Sequence, residues 1–267
     1  MGAARLRRSR RARHARRRPR RVRPGAAVAR LPDHRPRARE RRRHSCRRGR
    51  AGRPGPRLRG GGRRVSGPGT RLVLWRHGRT GFNAQHRFQG RRDVPLDEIG
   101  LAQARAAAPH LAALGPAAII SSPLSRALGT AEALAGLTGL PVERDGRLVE
   151  VDVGDWAGLT PAEAGVARAD GRAPWGEDDD FRFSPSGETN AEVSERVGRA
   201  LREIAERHRG RTAVVVTHWV AIRAGVQALC GPGFRADEHS APGNCSWTVL
   251  VSADGGWRVD LWGASAG

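Results

Sequence analysis

The sequence predicts an α/β fold, a three-layer sandwich in which a mostly parallel central sheet lies between helices on both faces. Two observations carry this prediction. Short apolar runs of strand length alternate with segments whose apolar residues recur at helical spacing, as in parallel sheets joined by helices. Near the C-terminus, two alternating runs flank the turn signal Asp254-Gly255-Gly256, which predicts an antiparallel edge hairpin.

The predicted elements follow one another through residues 70–267. Arg71–Trp75 is a short apolar run and predicts a buried strand, whereas Asp97–Leu114 has helical spacing and stops near Gly115-Pro116. Pro123–Leu137 predicts a helix with proline in its first turn, and Thr160–Glu163 is typical of a capped helix start. The remaining predicted elements are strand Ala117–Ser121, helix Glu188–His208, strand Thr212–Thr217, helix Val220–Leu229 and strands Ser246–Ser252 and Trp257–Trp262.

Charge divides the chain into a basic arm and a near-neutral body. The 267 residues carry a formal net charge of +23, but residues 1–69 hold 27 arginines and only two acids, a net charge of +25. Residues 70–267 hold 22 arginines and 24 acids, a net charge of −2. The arm has almost no large apolar residues, so we expect it to be disordered and the body to form one folded domain.

Three interpretations of the arm stay open. Sequence upstream of a true start in a GC-rich genome reads as Arg, Pro, Gly and Ala, and translation would then begin near Val65. Alternatively, the arm binds a polyanion, either nucleic acid or a membrane surface, without base preference because it lacks aromatic residues for stacking. The third interpretation is an organelle-targeting segment, because the arm is rich in arginine and poor in acids.

Composition excludes several other classes. No run reaches the 18 apolar residues of a transmembrane helix, and no apolar region follows the basic start as it does in a secretory signal. The three cysteines form no CxxC pair, which favours a reducing, cytoplasmic location. The sequence has no metal-ligand spacing, so we expect no metal and no cofactor. A homodimer is left open.

Polar residues follow three predicted strands at the points where each strand ends. Arg76 and His77 follow the first strand, Arg126 follows the second and His218 follows the strand Thr212–Thr217. In such folds the site lies at the carboxyl ends of the strands, so these side chains are expected to meet. Two guanidinium groups suit phosphate oxygens, and two imidazoles supply a nucleophile and a donor. Glu150, which follows a further strand-like run, is the best candidate proton donor for a leaving alkoxide.

Several longer motifs surround these residues. The motifs are Leu74-Trp75-Arg76-His77-Gly78-x-Thr80 with Asn83, Phe88-Gln89-Gly90, Pro95-Leu96-(x)3-Gly100-x-x-Gln103-Ala104, Ser121-Ser122-Pro123-Leu124-x-Arg126-Ala127, Leu148-x-Glu150-(x)3-Gly154-Asp155-Trp156-x-Gly158 and Thr217-His218. Together they resemble the histidine phosphatase (phosphoglycerate mutase-like) superfamily. The resemblance spans residues 71–262, and several motifs in the family's order are far more specific than an isolated Arg-His-Gly triplet.

The resemblance implies a phosphohistidine enzyme acting on a small phosphorylated substrate. His77 would be the nucleophile, and Glu150 the general acid and later the base for the attacking water. Arg76, Arg126 and His218 would hold the phosphoryl oxygens, so no metal is needed. The candidate substrate-binding residues are Asn83, Gln89, Arg79 and Thr80.

Two positions depart from the family's pattern. Trp219 follows the second histidine where glycine is usual, and it would reshape the pocket wall or tilt the helix start. If it blocks the pocket, the chain would be a catalytically weak phosphate-binding protein. Arg79 stands where Glu or Gln is commoner, and its charge either favours an acidic substrate or is simply solvated.

The resemblance favours hydrolysis over phosphoglycerate mutase-type phosphotransfer. Mutases of the family carry longer insertions and a C-terminal tail that exclude water, whereas this chain ends five residues after Trp262. The segments Gly243–Thr248 and Trp257–Ser265 resemble actinobacterial glucosyl-3-phosphoglycerate phosphatases, which implies that substrate, while other phosphorylated sugars or glycerates stay open. The segment Trp175–Phe183 is expected to cross over the site.

Overall fold

A computed structural model describes residues 69–166, 181–231, 241–253 and 256–266. The predictions for the Arg-rich arm before residue 69, for most of the segment 175–183 and for the turn at 254–255 lie outside the described residues. Among the described residues, no helix has both the length and the apolar character needed to cross a membrane.

Six strands and five helices make up the described body. The strands are β1 (Arg71–Arg76), β2 (Pro116–Ser121), β3 (Val142–Arg144), β4 (Thr212–Thr217), β5 (Trp247–Ala253) and β6 (Gly256–Ala264). The helices are α1 (Gly81–Ala84), α2 (Glu98–Ala112), α3 (Ser125–Thr138), α4 (Asn190–Arg207) and α5 (Trp219–Cys230), with short 3₁₀ turns at Gly146–Leu148 and Gly154–Trp156.

The strands form one sheet in the order β3-β2-β4-β1-β5-β6. β1 pairs in parallel with β4, and β2 pairs in parallel with both β4 and β3. β5 runs antiparallel to β1 and to β6, so the hairpin forms one edge. This topology confirms the predicted fold class and brings the carboxyl ends of β1, β2 and β4 to the same edge of the sheet.

The core lies on both faces of the sheet, because successive side chains of a strand point to opposite sides. Leu72 and Leu74 of β1 belong to a buried cluster with residues of α4 and α5. Val73 and Trp75 belong to a second buried cluster with residues of α2 and α3. The helices therefore cover the sheet from two sides, as the three-layer prediction requires.

Two predicted helix starts need correction. α3 begins at Ser125, so Pro123 precedes the helix rather than lying in its first turn; the N–H of Ser125 donates to the carboxylate of Asp93 at 2.7 Å. Thr160 and Glu163 form the expected reciprocal hydrogen bonds, 2.8 and 3.2 Å long. The described residues beyond them, up to Val166, make a turn that reaches Gly165 with its left-handed φ of +70°.

The prediction of a strand before Glu150 is also wrong. The first residue of that run, Leu148, ends a 3₁₀ turn, and Glu150 follows in irregular chain outside the sheet. The real neighbouring strand is β3, which the sequence analysis missed. With only three residues, none of them buried, β3 shows no hydrophobic periodicity.

Candidate active site

The parallel pairing of β1 and β4 places two histidines side by side. Arg76 and Thr217 are register partners at the ends of these strands, and His77 and His218 follow them directly. The two imidazole rings lie 5.1 Å apart between centroids, with 58° between their planes. Arg126, in the first turn of α3, reaches the same place from the end of β2.

His77 has one ring nitrogen engaged and the other available. Its Nδ1 lies 2.7 Å from the carbonyl oxygen of Gly78. A carbonyl only accepts, so Nδ1 carries the proton and Nε2 keeps its lone pair. Burial, together with the charges of Arg126 and Arg76, lowers the pKa of His77 well below its ordinary 6.5. His77 is therefore a neutral imidazole at neutral pH, and its Nε2 has no hydrogen-bond partner among the described residues.

His218 has the opposite tautomer. Its Nδ1 accepts from the Nε–H of Arg126 at 3.2 Å, and a guanidinium can only donate. The proton therefore sits on Nε2, which donates to the hydroxyl of Ser122 at 2.8 Å. Burial, followed by the charges of Arg126 and His77, lowers the pKa of His218 well below 6.5.

Both arginines are held by hydrogen bonds to backbone carbonyls. Arg126 has no exposed surface, and its two Nη atoms donate to the carbonyls of Arg92 at 2.7 Å and Gly90 at 2.8 Å. Burial lowers the pKa of Arg126 to about 10. Arg76 donates to the carbonyl of Pro242 at 2.6 Å, and burial lowers its pKa to about 10 as well. Both guanidinium groups stay protonated at neutral pH.

Glu150 lies at the N-terminus of α5. Its carboxylate accepts from the backbone N–H groups of Val220 at 3.3 Å and Ala221 at 3.2 Å. These donors are among the free N–H groups that every helix start presents. Glu150 and Arg76 both line one cavity, so a carboxylate and a guanidinium group lie at the same opening.

The cavity has a volume of about 430 Å³. Four of the predicted site residues line it, whereas His77, Arg126 and His218 are at most 2% exposed and are absent from its lining. The lining residues are Arg76, Asn83, His86, Arg87, Phe88, Gln89, Gly90, Glu150, Val151, Val153, Pro161, Trp219 and Asn244.

Two predicted substrate-binding residues do not line the cavity. Thr80 is fully buried and caps α1; its N–H donates to Asn83 Oδ1 at 3.2 Å, and its hydroxyl lies 3.0 Å from Gln89 Oε1. Thr80 therefore orients two cavity residues. The Nε of Arg79 pairs with Asp97 at 2.9 Å, so its charge is partly neutralised by the capping residue of α2.

Sequence reasoning missed Asn244 as a site residue. Its amide nitrogen donates to the carbonyl of His77 at 3.3 Å and to Asn83 Oδ1 at 3.2 Å. A topological signal was available: β5 runs antiparallel to β1, so residues just before β5 lie beside the end of β1.

Trp219 is the first residue of α5 and forms part of the cavity wall. The helix start is regular, with His218 as its extended N-cap and a 2.9 Å hydrogen bond from the N–H of Ile222 to the His218 carbonyl. The indole ring lies 5.7 Å from the guanidinium carbon of Arg223. The bulky residue thus occupies the wall without displacing the helix start.

A family comparison matches this architecture. The description "Histidine phosphatase superfamily (branch 1)" applies to residues 72–265. The chain belongs to this superfamily. The match covers nearly all of the body, so the resemblance carried by the motifs is confirmed, and the chain is a phosphatase.

Several similar proteins are named glucosyl-3-phosphoglycerate phosphatases. A glucosyl-3-phosphoglycerate phosphatase of Mycolicibacterium vanbaalenii is 39% identical over 216 residues, which is 73% of this chain and 95% of that protein. The Mycobacterium tuberculosis protein of the same name is 38% identical over 214 residues, again 73% and 95%. A solved structure of mycobacterial glucosyl-3-phosphoglycerate phosphatase with VO3 has a TM-score of 0.66 at 37% identity and covers 73% of this chain and 99% of its own.

The opposite tautomers of the two histidines are measurable by nitrogen NMR. At pH 6.5 an ordinary histidine is half protonated, but we expect His77 and His218 to remain neutral because their pKa values are lowered. His77 should show a protonated Nδ1, and His218 a protonated Nε2. Spectra of His77→Asn and His218→Asn identify the two rings among the nine histidines. Shared tautomers, or titration near pH 6.5, would contradict this arrangement.

Proposed function

We propose that this phosphatase hydrolyses its substrate through a phosphohistidine on His77, without a metal ion. The observation that carries the proposal is the free Nε2 of a neutral His77 next to two fixed guanidinium groups. A neutral imidazole is the nucleophilic form, and the positive charges of the two arginines complement the negative charge of a phosphoryl group.

In the first step, the lone pair of His77 Nε2 attacks phosphorus as the ester P–O bond breaks. The leaving alkoxide takes its proton from the carboxylic acid of Glu150, which lines the cavity with Arg76. The Gly78 carbonyl, 2.7 Å from Nδ1, stabilises the positive charge that the ring gains. The products are the free alcohol and a phosphohistidine.

In the second step, water replaces the alcohol. The Glu150 carboxylate takes a proton from water while the water oxygen bonds to phosphorus. The P–N bond breaks, its electron pair returns to His77 Nε2, and inorganic phosphate leaves. Glu150 is protonated again, so the cycle restores the enzyme.

Both arginines have donors left for the phosphoryl oxygens. The Nε–H of Arg76 is buried and has no hydrogen-bond partner among the described residues. Each Nη of Arg126 makes one hydrogen bond within the described part of the chain, to the carbonyl of Arg92 or of Gly90, and carries a second N–H. A phosphoryl dianion would satisfy these donors, which are fixed in place before it arrives.

The substrate we propose is glucosyl-3-phosphoglycerate. The two relatives described above carry this name, and the 430 Å³ cavity has room for more than a phosphoryl group. The cavity lining includes three amide side chains that can hydrogen bond to hydroxyl groups of the substrate: Asn83, Gln89 and Asn244. Trp219 offers an aromatic face against which a sugar ring can pack.

Phosphate release from the full-length chain in excess EDTA tests this function. We expect turnover of glucosyl-3-phosphoglycerate with a higher kcat/KM than 3-phosphoglycerate. Trp219→Ala should lower kcat/KM for the glucosylated ester by about 10-fold, because one packing contact with the sugar is lost. The same substitution should change 3-phosphoglycerate turnover little. A requirement for added metal would contradict the metal-independent mechanism. Equal kcat/KM for both esters would contradict the substrate assignment, and formation of 2-phosphoglycerate would indicate a mutase.

Further properties rest on sequence alone. The cysteine pattern supports a cytoplasmic location, and, where the arm is translated, the +25 net charge of residues 1–69 supports its binding to a polyanion such as nucleic acid. The division into this arm and a phosphatase domain at residues 70–267 is likewise a proposal, and a homodimer stays open.

A further inference from the structure

All five N–H groups of the Arg196 guanidinium are engaged around Glu150. Nη1 donates to the backbone carbonyls of Arg147 at 2.8 Å and Val149 at 2.7 Å. Nη2 donates to the carbonyl of Glu150 at 3.0 Å and to Glu188 at 2.9 Å, and Nε donates to Glu188 at 2.9 Å. One side chain of α4 thus holds three carbonyls of the segment that carries the proposed acid.

Glu188 holds the far end of the same segment. Its carboxylate accepts from the backbone N–H of Asp152 at 2.9 Å, and its own N–H donates to the Asp152 carbonyl at 2.9 Å. Arg91 adds a second cation at 2.6 Å. Burial raises the pKa of Glu188, but the hydrogen bonds and charge of Arg196 outweigh burial and lower it overall. Glu188 is therefore ionised at neutral pH.

The segment needs such support because it lies outside the sheet. Glu150 has no strand neighbour, and its carboxylate meets α5 only through hydrogen bonds of 3.2 and 3.3 Å. One further side chain, Thr217, donates to the carbonyl of Leu148 at 2.7 Å. Apart from these hydrogen bonds and one from the N–H of Val151 at 3.0 Å, the position of the Glu150 side chain depends on how its backbone is held.

We propose that Arg196 and Glu188 are positioning residues that hold Glu150 where it can protonate the leaving group. Neither side chain lines the 430 Å³ cavity, so both act through the backbone of residues 147–152. The ion pair is only 14% and 16% exposed, which keeps water from competing for its hydrogen bonds. The proposal rests on the proposed role of Glu150 as general acid.

Leaving-group dependence tests this role. kcat/KM reports the steps up to the phosphohistidine, and p-nitrophenolate leaves without the proton that an alkoxide needs. We expect Arg196→Met and Glu188→Gln to lower kcat/KM for an alkyl ester, 3-phosphoglycerate, by about 10- to 100-fold, a large part of a general acid's effect. For p-nitrophenyl phosphate the loss should stay below about 3-fold. Loss of a merely structural support would lower kcat/KM equally for both substrates, and that result would overturn the proposal.

A double-mutant cycle with Glu150→Gln separates the proposal from the function on which it rests. If Arg196 acts through Glu150, then Arg196→Met should add little once Glu150 is replaced. If the two substitutions lower kcat/KM by factors that multiply fully in the double variant, Arg196 does not act through Glu150. That result would overturn the positioning role and leave the general-acid role of Glu150 unchanged. If Glu150→Gln itself lowers kcat/KM equally for the aryl and the alkyl ester, Glu150 is not the general acid, and the positioning role is then wrong as well.

Arg207→Met is the matched control. Arg207 also lies on α4 and pairs with a glutamate, Glu143, but the two side chains are 51% and 46% exposed. We expect unchanged kinetics with both esters. Should Arg196→Met fail to fold, Arg196→Lys and Glu188→Gln carry the test, because lysine keeps the charge but lacks the planar set of five donors. Wild-type alkyl-ester activity in both of these variants would overturn the proposal.

Discussion

Replacement of His77 by alanine is expected to abolish turnover, with a loss in kcat/KM of about 10⁴-fold or more, as for other covalent nucleophiles. The variant lacks Nε2, so no phosphohistidine can form. His77→Asn should be equally inactive, because an amide can hydrogen bond to the Gly78 carbonyl but supplies no nucleophile.

The measurement has two parts. Phosphate release gives the rate, and mass spectrometry after acid-free quenching during turnover gives the phosphoryl group on the protein. We expect a phosphorylated peptide that contains His77 in the wild-type chain and none in the variant. His110→Ala is the control, because His110 is an exposed histidine that stacks on Trp247 at 5.8 Å. Retained turnover in His77→Ala would mean that water attacks phosphorus directly.

The sequence predicted the residues that strand topology brings together. Arg76 ends β1 and His77 follows it directly, while Arg126 and His218 come after β2 and β4, and hydrophobic runs reveal such strands. Once three carboxyl ends are known to share an edge, their polar residues must meet. This part of the site follows from local pattern and one rule of topology.

Residues placed by contacts far apart in sequence could not be predicted in this way. Glu150 was found as a residue type, but the strand assigned before it was wrong, because Arg196, 46 positions away, holds its backbone. Asn244 reaches the carbonyl of His77 across 167 positions. Thr80 stays a predicted substrate-binding residue by resemblance, and the sequence alone does not reveal its hydrogen bonds to Asn83 and Gln89.

Arg126→Met is expected to impair stability and catalysis together. The guanidinium satisfies three acceptors: the carbonyls of Gly90 and Arg92 and the Nδ1 of His218. Methionine fills similar space but donates nothing, and each buried acceptor left unpaired costs about 1–3 kcal/mol. Relief of the cost of burying the charge offsets part of this loss. We expect the free energy of unfolding, from urea denaturation, to fall by roughly 3 kcal/mol.

The same variant should change the pH dependence in a defined direction. After burial, the charge of Arg126 is the largest influence that lowers the pKa of both His77 and His218. Its removal therefore raises both pKa values, so protons compete for His77 Nε2 at higher pH. Loss of a phosphoryl donor also lowers kcat/KM by about 10²–10³-fold. The acidic limb of the remaining activity should move to higher pH in Arg126→Met.

Arg126→Lys separates charge from geometry. Lysine restores the cation, so the pKa values of His77 and His218, read from NMR titration, should stay low. Its single ammonium cannot span the carbonyls of Gly90 and Arg92 together with His218, so stability and kcat/KM should remain well below those of the wild-type chain. If the lysine variant recovered full activity, the fixed guanidinium geometry would be irrelevant, and the charge alone would account for the part that Arg126 plays.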